Sequence, residues 1–284
     1  MGIRVSLLVV LYNKRLADSE TIKALLTISI KDVSIYIVNN GPDLLIEDEI
    51  IFKLRERCEF VSVQNYLTNK PLSWVYNDYI DSHEADRYII LDDDTQLTHE
   101  YFKDLVFNDE NYMIGLPKML SSYDKKQYTP MLNGKIKPDT YGHISGDFNF
   151  SITSAIILSK DIVSILKKRF GSVFDERYAL YSIDNTLFLR LETIVKEEIS
   201  PITYFSNVSL LHDFSNIQAN KESKWRVEEL LIANIITLRH YFKRGYRQVI
   251  KQIFTNLAHF HFRDCYLILR SYLQGKHPRC KQPR

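Results

Sequence analysis

The chain has 284 residues, 45% of them hydrophobic and 25% charged, which suits a soluble globular fold of one large or two small domains with a substantial core. Nine glycines leave little material for a glycine-rich phosphate loop, and three cysteines (Cys58, Cys265, Cys280) are too scattered to form a metal-ligand spacing and read as reduced thiols of a cytosolic protein. No apolar run reaches the ~18 residues of a membrane span, and the first ten residues lack the features of a signal peptide.

In chain order, Ile3 to Leu11 is a nearly continuous apolar run, as expected for a strand buried on both faces of a parallel sheet. A helix is expected over Ser19 to Ile28, a strand over Val33 to Val38 ending in the turn Asn39-Asn40-Gly41-Pro42, and a helix around Glu47 to Arg57. A strand at Glu59 to Gln64, a helix at Leu72 to Asp81 and a strand at Tyr88 to Leu91 follow. Strands alternating with helices at this spacing predict a doubly wound, mostly parallel α/β sheet. Beyond a helix at Thr98 to Phe107 the alternation loosens. A short strand is expected at Tyr112 to Leu116, a loop or hairpin near the site over Ser121 to Asp139, and a strand or strand pair over Phe148 to Leu158. Helices are expected at Lys160 to Phe170 and Leu187 to Glu198, and a last strand at Thr203 to Leu211, ending at His212. The pattern from Lys224 to about Leu273 is helical, interrupted near Gly245.

The strand at Tyr88 runs straight into Asp92-Asp93-Asp94. Adjacent acids repel, and each loses solvation near a buried strand end, so unpaired they have raised pKa values and cost stability. A divalent cation turns that repulsion into attraction, because hard cations take oxygen ligands. In open α/β sheets ligands bind outside the carboxyl ends of the strands, where this cluster falls. The competing reading is a solvated turn whose acids favour the N-terminus of the next helix.

Strand ends carrying Tyr12-Asn13, then Asn39-Asn40-Gly41, then Asn69 and Asn77, then the aspartates give an order that resembles the family 2 glycosyltransferases, whose nucleotide-sugar-binding fold is called GT-A. The similarity is greatest to the bacterial rhamnosyltransferase-like and polysaccharide-assembling branch, and it covers roughly residues 3 to 215. It implies a GT-A domain over residues 1–220, with a mostly parallel mixed sheet flanked by helices, and a basic, aromatic-rich helical extension over 221–284. It further implies an inverting transfer of a sugar from a nucleotide diphosphate sugar, UDP- or dTDP-linked, to a glycan hydroxyl. By the resemblance Tyr12, Asn13, Asn39, Asn40, Asn69 and Asn77 contact the nucleotide. Asn39 stands where the family has a carboxylate, and Pro71 where it has a glycine. Asp92 would contact ribose or metal, Asp94 would bind the Mn²⁺ or Mg²⁺ that bridges the diphosphate, and Asp93 could share either task.

The stretch Phe174-Asp175-Glu176 leading to Asp184 and Arg190 resembles the family's Phe-Asp-Glu segment, and Asp184 takes the position of the catalytic base. A sugar hydroxyl attacking an anomeric carbon must lose its proton, which a nearby carboxylate can accept. The alternative for Asp184 is an N-cap bonded to the amides of Thr186 or Leu187. His212 matches a histidine that reaches the metal or diphosphate, or else is a structural residue. Gly146-Asp147 falls where the family contacts acceptor or sugar, although Asp147 could equally cap a turn. Asp175 and Glu176 read as loop or salt-bridge residues.

The net charge of +2 hides an asymmetry: eleven Lys/Arg against one acid from Arg239 to Arg284, and a net of −8 in residues 1–238. Mixed with Tyr, Phe, Ile and Leu, such a tail either lies on an anionic bilayer, as suits a lipid-linked acceptor and a peripheral location on the inner face of the plasma membrane, or packs on the catalytic domain with its charges in water. Nothing resembles a nucleic-acid-binding motif. Two other activities stay open: a sugar nucleotidyltransferase, disfavoured by the glycine-free Leu11-Tyr12-Asn13-Lys14, and a non-catalytic sugar-nucleotide or glycan-binding scaffold.

Overall fold

The computed structural model describes residues 2–136, 138–213 and 223–281. Strands β1 (Val5–Leu11), β2 (Ile30–Asn39), β3 (Cys58–Asn65) and β4 (Arg87–Asp92) pair in parallel, and helices α1 (Glu20–Leu25), α2 (Glu49–Arg55) and α3 (Leu72–Ser82) connect them. The short strands β5 (Ile114–Gly115), β8 (Tyr141–His143), β9 (Ile156–Ser159) and β10 (Thr203–Phe205) extend this into one eight-stranded mixed sheet in the order β3-β2-β1-β4-β9-β5-β10-β8. Strands β6 (Lys118–Ser121), β7 (Gln127–Thr129) and β11 (Ser209–His212) form a second, three-stranded sheet. The whole is an α/β fold.

Every residue of β1 is buried, and alternation divides its side chains between two cores. Leu8 and Val10 face the core shared with α3, with α4 (Lys160–Phe170) and with α5 (Ile183–Lys196). Val5, Leu7, Val9 and Leu11 face Ile22 and Leu25 of α1 and Ile51 and Leu54 of α2. A strand covered on both sides has no polar face, which is why its sequence is a plain apolar run.

Four expected elements come out differently. The helix over Thr98 to Phe107 is a single π-helical turn, Tyr101–Val106, closed by Phe107 N–H donating to the Phe102 carbonyl at 2.8 Å. The widened turn buries Tyr101, Phe102, Leu105 and Val106 together. The regular strand over Phe148 to Leu158 forms only from Ile156, because the backbone is left-handed at Phe148 and Ala155 and turns tightly where Ile156 N–H donates to the Thr153 carbonyl at 3.1 Å; the Thr153 and Ser154 hydroxyls face the site. The strand over Thr203 to Leu211 divides between the two sheets at 206–208, where Ser206 N–H binds the Thr140 carbonyl at 2.7 Å. The helix expected from Leu187 begins four residues earlier, at Ile183.

The C-terminal region forms α6 (Lys224–Tyr241), α7 (Gly245–Ala258) and α8 (Phe262–Gln274). The boundary expected at 220/221 lies outside the described residues. Ile232, Ala233 and Ile236 of α6 belong to the same core as α3 and α5, so this helix is built into the body of the fold, whereas α7 and α8 close a small cluster of their own with Val249 and Ile268 against Ile235 and Leu238. Among the described residues no helix is long and apolar enough to cross a membrane.

One buried ion cluster joins α6 to the segment that precedes α5. Asp175 accepts from Arg177 at 2.8 Å and from the Tyr241 hydroxyl at 2.7 Å, and lies 3.8 Å from the buried Arg190 guanidinium. Burial pushes the Asp175 carboxyl upward, but the Arg177 hydrogen bond and the charges of Arg177 and Arg190 outweigh it and hold it below the ordinary carboxylate range. Asp175→Ala strands Arg190 without its carboxylate and is expected to lower the unfolding free energy by about 3–5 kcal/mol in urea titrations at neutral pH. A depressed folded-state pKa contributes stability that vanishes as pH falls through it, so the difference from the unmutated chain should shrink below about pH 4.

Candidate active site

The acid turn is held by its backbone. Thr21 donates its hydroxyl to the Asp92 carbonyl at 2.6 Å, Ser19 donates to the Asp93 carbonyl at 2.8 Å, and Asp92 N–H donates to Ser154 Oγ at 3.1 Å. The N-terminal residues of α1 thus grip the main chain of 92–95 and leave the carboxylates to the cleft. Pairing of Gln96 with Leu211 brings β11 alongside, which sets His212 Nδ1 3.5 Å from Asp94 Oδ1. Asp92, Asp94 and His212 each offer a ligand atom within 4.8 Å of the others.

These three residues, Asp184 and Thr153 line one cleft of about 570 Å³, closed on other sides by Tyr12, Tyr181 and Arg226. Asp184 lies in the first turn of α5 but caps nothing: Ser182 holds the N-cap position in a left-handed conformation, and Asp184 accepts instead from the Thr153 hydroxyl. Burial drives the Asp184 carboxyl up to about 6, against the opposing pull of the Thr153 hydrogen bonds. Asp92 is raised well above its ordinary value by burial and then by Asp94, Asp184 and Asp93. Asp94 is raised by burial, against the pull of His212, and burial lowers His212. Asp93 has a cation in contact, the Lys14 ammonium at 2.5 Å.

This electrostatic state fits a cation. Two carboxylates about 5 Å apart repel by roughly 3 kcal/mol at an effective dielectric of about 20, and Asp94 Oδ1 is buried without accepting a hydrogen bond among the described residues. Two carboxylates and an imidazole form a donor set suited to Mn²⁺ and less so to Mg²⁺.

A second hollow, about 650 Å³, opens at the ends of β1 and β2 and is lined by Asn13, Lys14, Asn39, Gly41 and Asp43 among others. Asn13 is left-handed, and its N–H donates to the Gly41 carbonyl at 2.7 Å, tying the two strand ends together. Asn39 spends its side chain locally: its amide group donates to the Asp43 carbonyl and to Asn65 Oδ1, both at 2.6 Å, and its Oδ1 accepts from Gly41 N–H. Asn40 is buried and donates to the Lys70 carbonyl at 2.9 Å and, at 3.4 Å, to Asn69. Asn39 and Asn40 therefore shape the hollow, and Asn69 adopts the left-handed backbone of a turn.

Asn40, Asn69, Asn77, Arg190, Gly146 and Asp147, all expected to contact substrate, are not among the residues lining either cavity. Asn77 pairs reciprocally with Phe174, donating to its carbonyl and accepting from its N–H, both at 2.9 Å. Around it the start of α3 binds the same segment through Trp74 to the Glu176 carbonyl and Leu72 N–H to the Ala179 carbonyl. Arg190 donates to the Ser172 and Val173 carbonyls at 2.8 and 3.0 Å. Both residues fix the approach to Asp184 from behind. Asp147 is exposed and pairs with Lys196 at 2.6 Å, and Gly146 lies against the same lysine side chain.

Several site residues carried no prediction. Thr153 and Ser154 give no local signal, since only the tertiary fold brings them to Asp184 and Asp92. Lys14 could have been inferred as a cation at the end of a strand parallel to the acidic one. Arg226 sits in the first turn of α6, where the helix macrodipole disfavours a positive charge; that conflict was a legible sign of another duty.

The eight-stranded sheet with an acid turn at the end of β4 defines a fold of the GT-A type. It is similar to that of S. aureus TarS: residues 1–349 of TarS share 12% identity at a TM-score of 0.55, over 97% of this chain and 93% of that one. TarS 1–349 in complex with UDP-GlcNAc gives 11% identity and a TM-score of 0.53, over 98% and 83% of the two chains. A longer TarS chain gives 14% identity and a TM-score of 0.53, and there this protein spans 45% of its length. No protein-family model and no curated protein sequence matches the chain.

Raised carboxyls mean that the folded protein binds more protons than the unfolded one between about pH 4 and the raised values, so the cluster costs stability increasingly as pH rises through that window. Mn²⁺ at 100 times its dissociation constant should stabilise by about 2.7 kcal/mol, several degrees of melting temperature. The shift should be larger at pH 7 than at pH 5 and should be abolished in Asp94→Ala, as read by thermal unfolding and by calorimetric Mn²⁺ titration.

Proposed function

We propose that the protein is an inverting glycosyltransferase that moves a sugar from a nucleotide diphosphate sugar, UDP- or dTDP-linked, to a hydroxyl of a glycan acceptor. The observation that carries this reading is the presence, in a single cleft, of the Asp184 carboxylate, held by Thr153 and pushed up to about 6 by desolvation, and an Asp-Asp-His cluster. The GT-A-type fold shared with TarS, whose structures include complexes with UDP and UDP-GlcNAc, supports the donor class.

The hollow at the ends of β1 and β2 receives the nucleoside, with Asn13 and the Asn39-shaped turn as its floor. The diphosphate then extends toward Asp92, Asp94 and His212. A divalent cation held by these three residues would neutralise the charge that develops on the departing diphosphate. Lys14, at the junction of the hollow and the acid turn, adds a positive charge beside the same path. Asp184 takes the proton from the acceptor hydroxyl while that oxygen bonds to the anomeric carbon; the carbon–oxygen bond to phosphate breaks, and its electron pair leaves with the nucleotide diphosphate. Thr153 holds the carboxylate in place, and burial raises its basicity toward the range where a general base is most effective near neutral pH.

Asp184→Asn keeps the shape and removes the base. It should lower turnover by about 10²–10⁴-fold while a nucleotide sugar still binds in calorimetry; an Asn variant that turns over normally would dismiss Asp184 as the base. Because the base must be ionised, kcat/KM in the native enzyme should fall with decreasing pH below about 6, the value to which burial raises Asp184. That acidic limb should be missing from whatever activity Asp184→Asn retains. A chain that binds a nucleotide sugar but never consumes it, with any acceptor and with Mn²⁺ present, would instead be a binding scaffold. Release of pyrophosphate from a nucleoside triphosphate and a sugar phosphate would mark a nucleotidyltransferase.

A further inference from the structure

The C-terminal hairpin leaves a large apolar surface uncovered. On α7, Tyr246, Ile250, Phe254 and Leu257 are all exposed, Phe254 by 68%. Their spacing of four, four and three residues places them on a single helical stripe. On α8, Phe262, Tyr266, Leu269 and Leu273 repeat the pattern at four, three and four residues, with Leu273 exposed by 75%. These stripes are separate from the residues the helices bury, Val249 and Ile268, which pack against α6. Where the two helices join, Phe260 and Phe262 meet edge to face at 6.2 Å between ring centres while remaining 77% and 63% exposed. A folded protein rarely offers water this much contiguous aromatic and aliphatic surface without a partner.

Charge identifies the partner. Arg263 pairs with Glu228 at 2.9 Å, but Lys243, Arg244, Arg247, Lys251 and Arg270 are exposed and take no carboxylate among the described residues. A second copy of the chain would bring the same uncompensated positive charge to the interface, which disfavours self-association through this face. An anionic lipid surface matches both properties, apolar side chains entering the acyl boundary and lysines and arginines meeting the headgroups.

The position of the hairpin in the fold adds an independent indication. Arg263 at the start of α8 pairs with Glu228 at the start of α6, and Arg239 near the end of α6 binds the Tyr272 carbonyl near the end of α8, so the two helices run side by side in the same direction. The aromatic tip at 260–262 therefore lies at the end of α6 that carries Arg226, a wall of the acidic cleft. We propose that the hairpin docks the protein on an anionic membrane surface through Phe260, Phe262 and the exposed stripes of α7 and α8, with the cleft end of the molecule next to the bilayer. The consequence for transfer, access to an acceptor whose anchor stays in the membrane, rests on the proposed function; the docking does not.

Vesicle co-sedimentation of the full chain tests it, comparing mixed phosphatidylglycerol–phosphatidylcholine vesicles with phosphatidylcholine alone. The unmutated protein should bind the anionic vesicles, lose affinity as salt is raised, and bind the neutral vesicles far less. Phe260→Ser with Phe262→Ser should weaken binding by at least about tenfold, and Arg247→Glu with Lys251→Glu by about fivefold or more per site. All four positions are exposed, so melting temperatures should not change. Absence of binding to anionic vesicles, or equal binding by the Phe260→Ser, Phe262→Ser variant, would overturn the proposal. So would a dimer in sedimentation velocity that the same variant abolishes in the absence of vesicle binding, which would assign the face to a second copy. No nucleotide sugar is present in this experiment, so its outcome is separate from that of the transfer reaction.

Discussion

Convergence of carboxylates on one cleft is the constraint on which the site depends. Asp92, Asp94 and Asp184 come from two distant parts of the chain and face a common cleft in which burial raises all three, and neighbouring carboxylates add to the rise at Asp92 and Asp94. A fold can hold such an arrangement only if other contacts outweigh the electrostatic cost. Here the acid turn is clamped by main-chain hydrogen bonds to Ser19, Thr21 and Ser154, so that its geometry does not depend on where its own side chains point. The side chains thereby face the cleft without having to hold the turn.

The opposite wall is built by a different principle. The segment from Phe174 to Ala179 has little regular structure, yet nearly every turn of it is bound from behind by α3, by Arg190 and by α6 through Tyr241. Tyr178 also shares a hydrogen bond at 3.0 Å with Thr237 of α6. Whatever Asp184 does in the cleft, its position is the end result of these contacts. The first helix of the C-terminal region is thus a structural component of the site, while α7 and α8, with their separate small core, are free to serve another surface.

Asparagine has two roles here that sequence reading merges. At Asn13 and Asn69 it supplies a left-handed backbone; at Asn39, Asn40 and Asn77 it supplies an amide that binds main-chain groups of neighbouring loops. Each role forms the frame around the two cavities. An amide that both donates and accepts can brace a loop, as the reciprocal Asn77–Phe174 pair does, and a carboxylate could only accept.

Local pattern was enough for the framework. The apolar run of β1, the acid turn after β4 and the helix over Lys160 to Phe170 are all readable, because period, burial and strand-end chemistry are short-range properties. The likeness of strand-end residues to a known order also led to Asp92, Asp94, Asp184 and His212 as a group. What the pattern could not supply was which polar residues turn toward the cleft and which turn away. Arg190 and Asn77 look the same in sequence as cleft residues but satisfy buried carbonyls, whereas Thr153, Ser154 and Arg226 look like ordinary loop or helix residues and line the site or hold it. The sequence by itself determined the sheet, its acidic edge and the basic aromatic tail, since each follows from the chemistry of neighbours along the chain; the partners of each polar side chain were decided by tertiary structure alone, because a hydrogen bond between residues 31 or 97 positions apart leaves no trace in either segment.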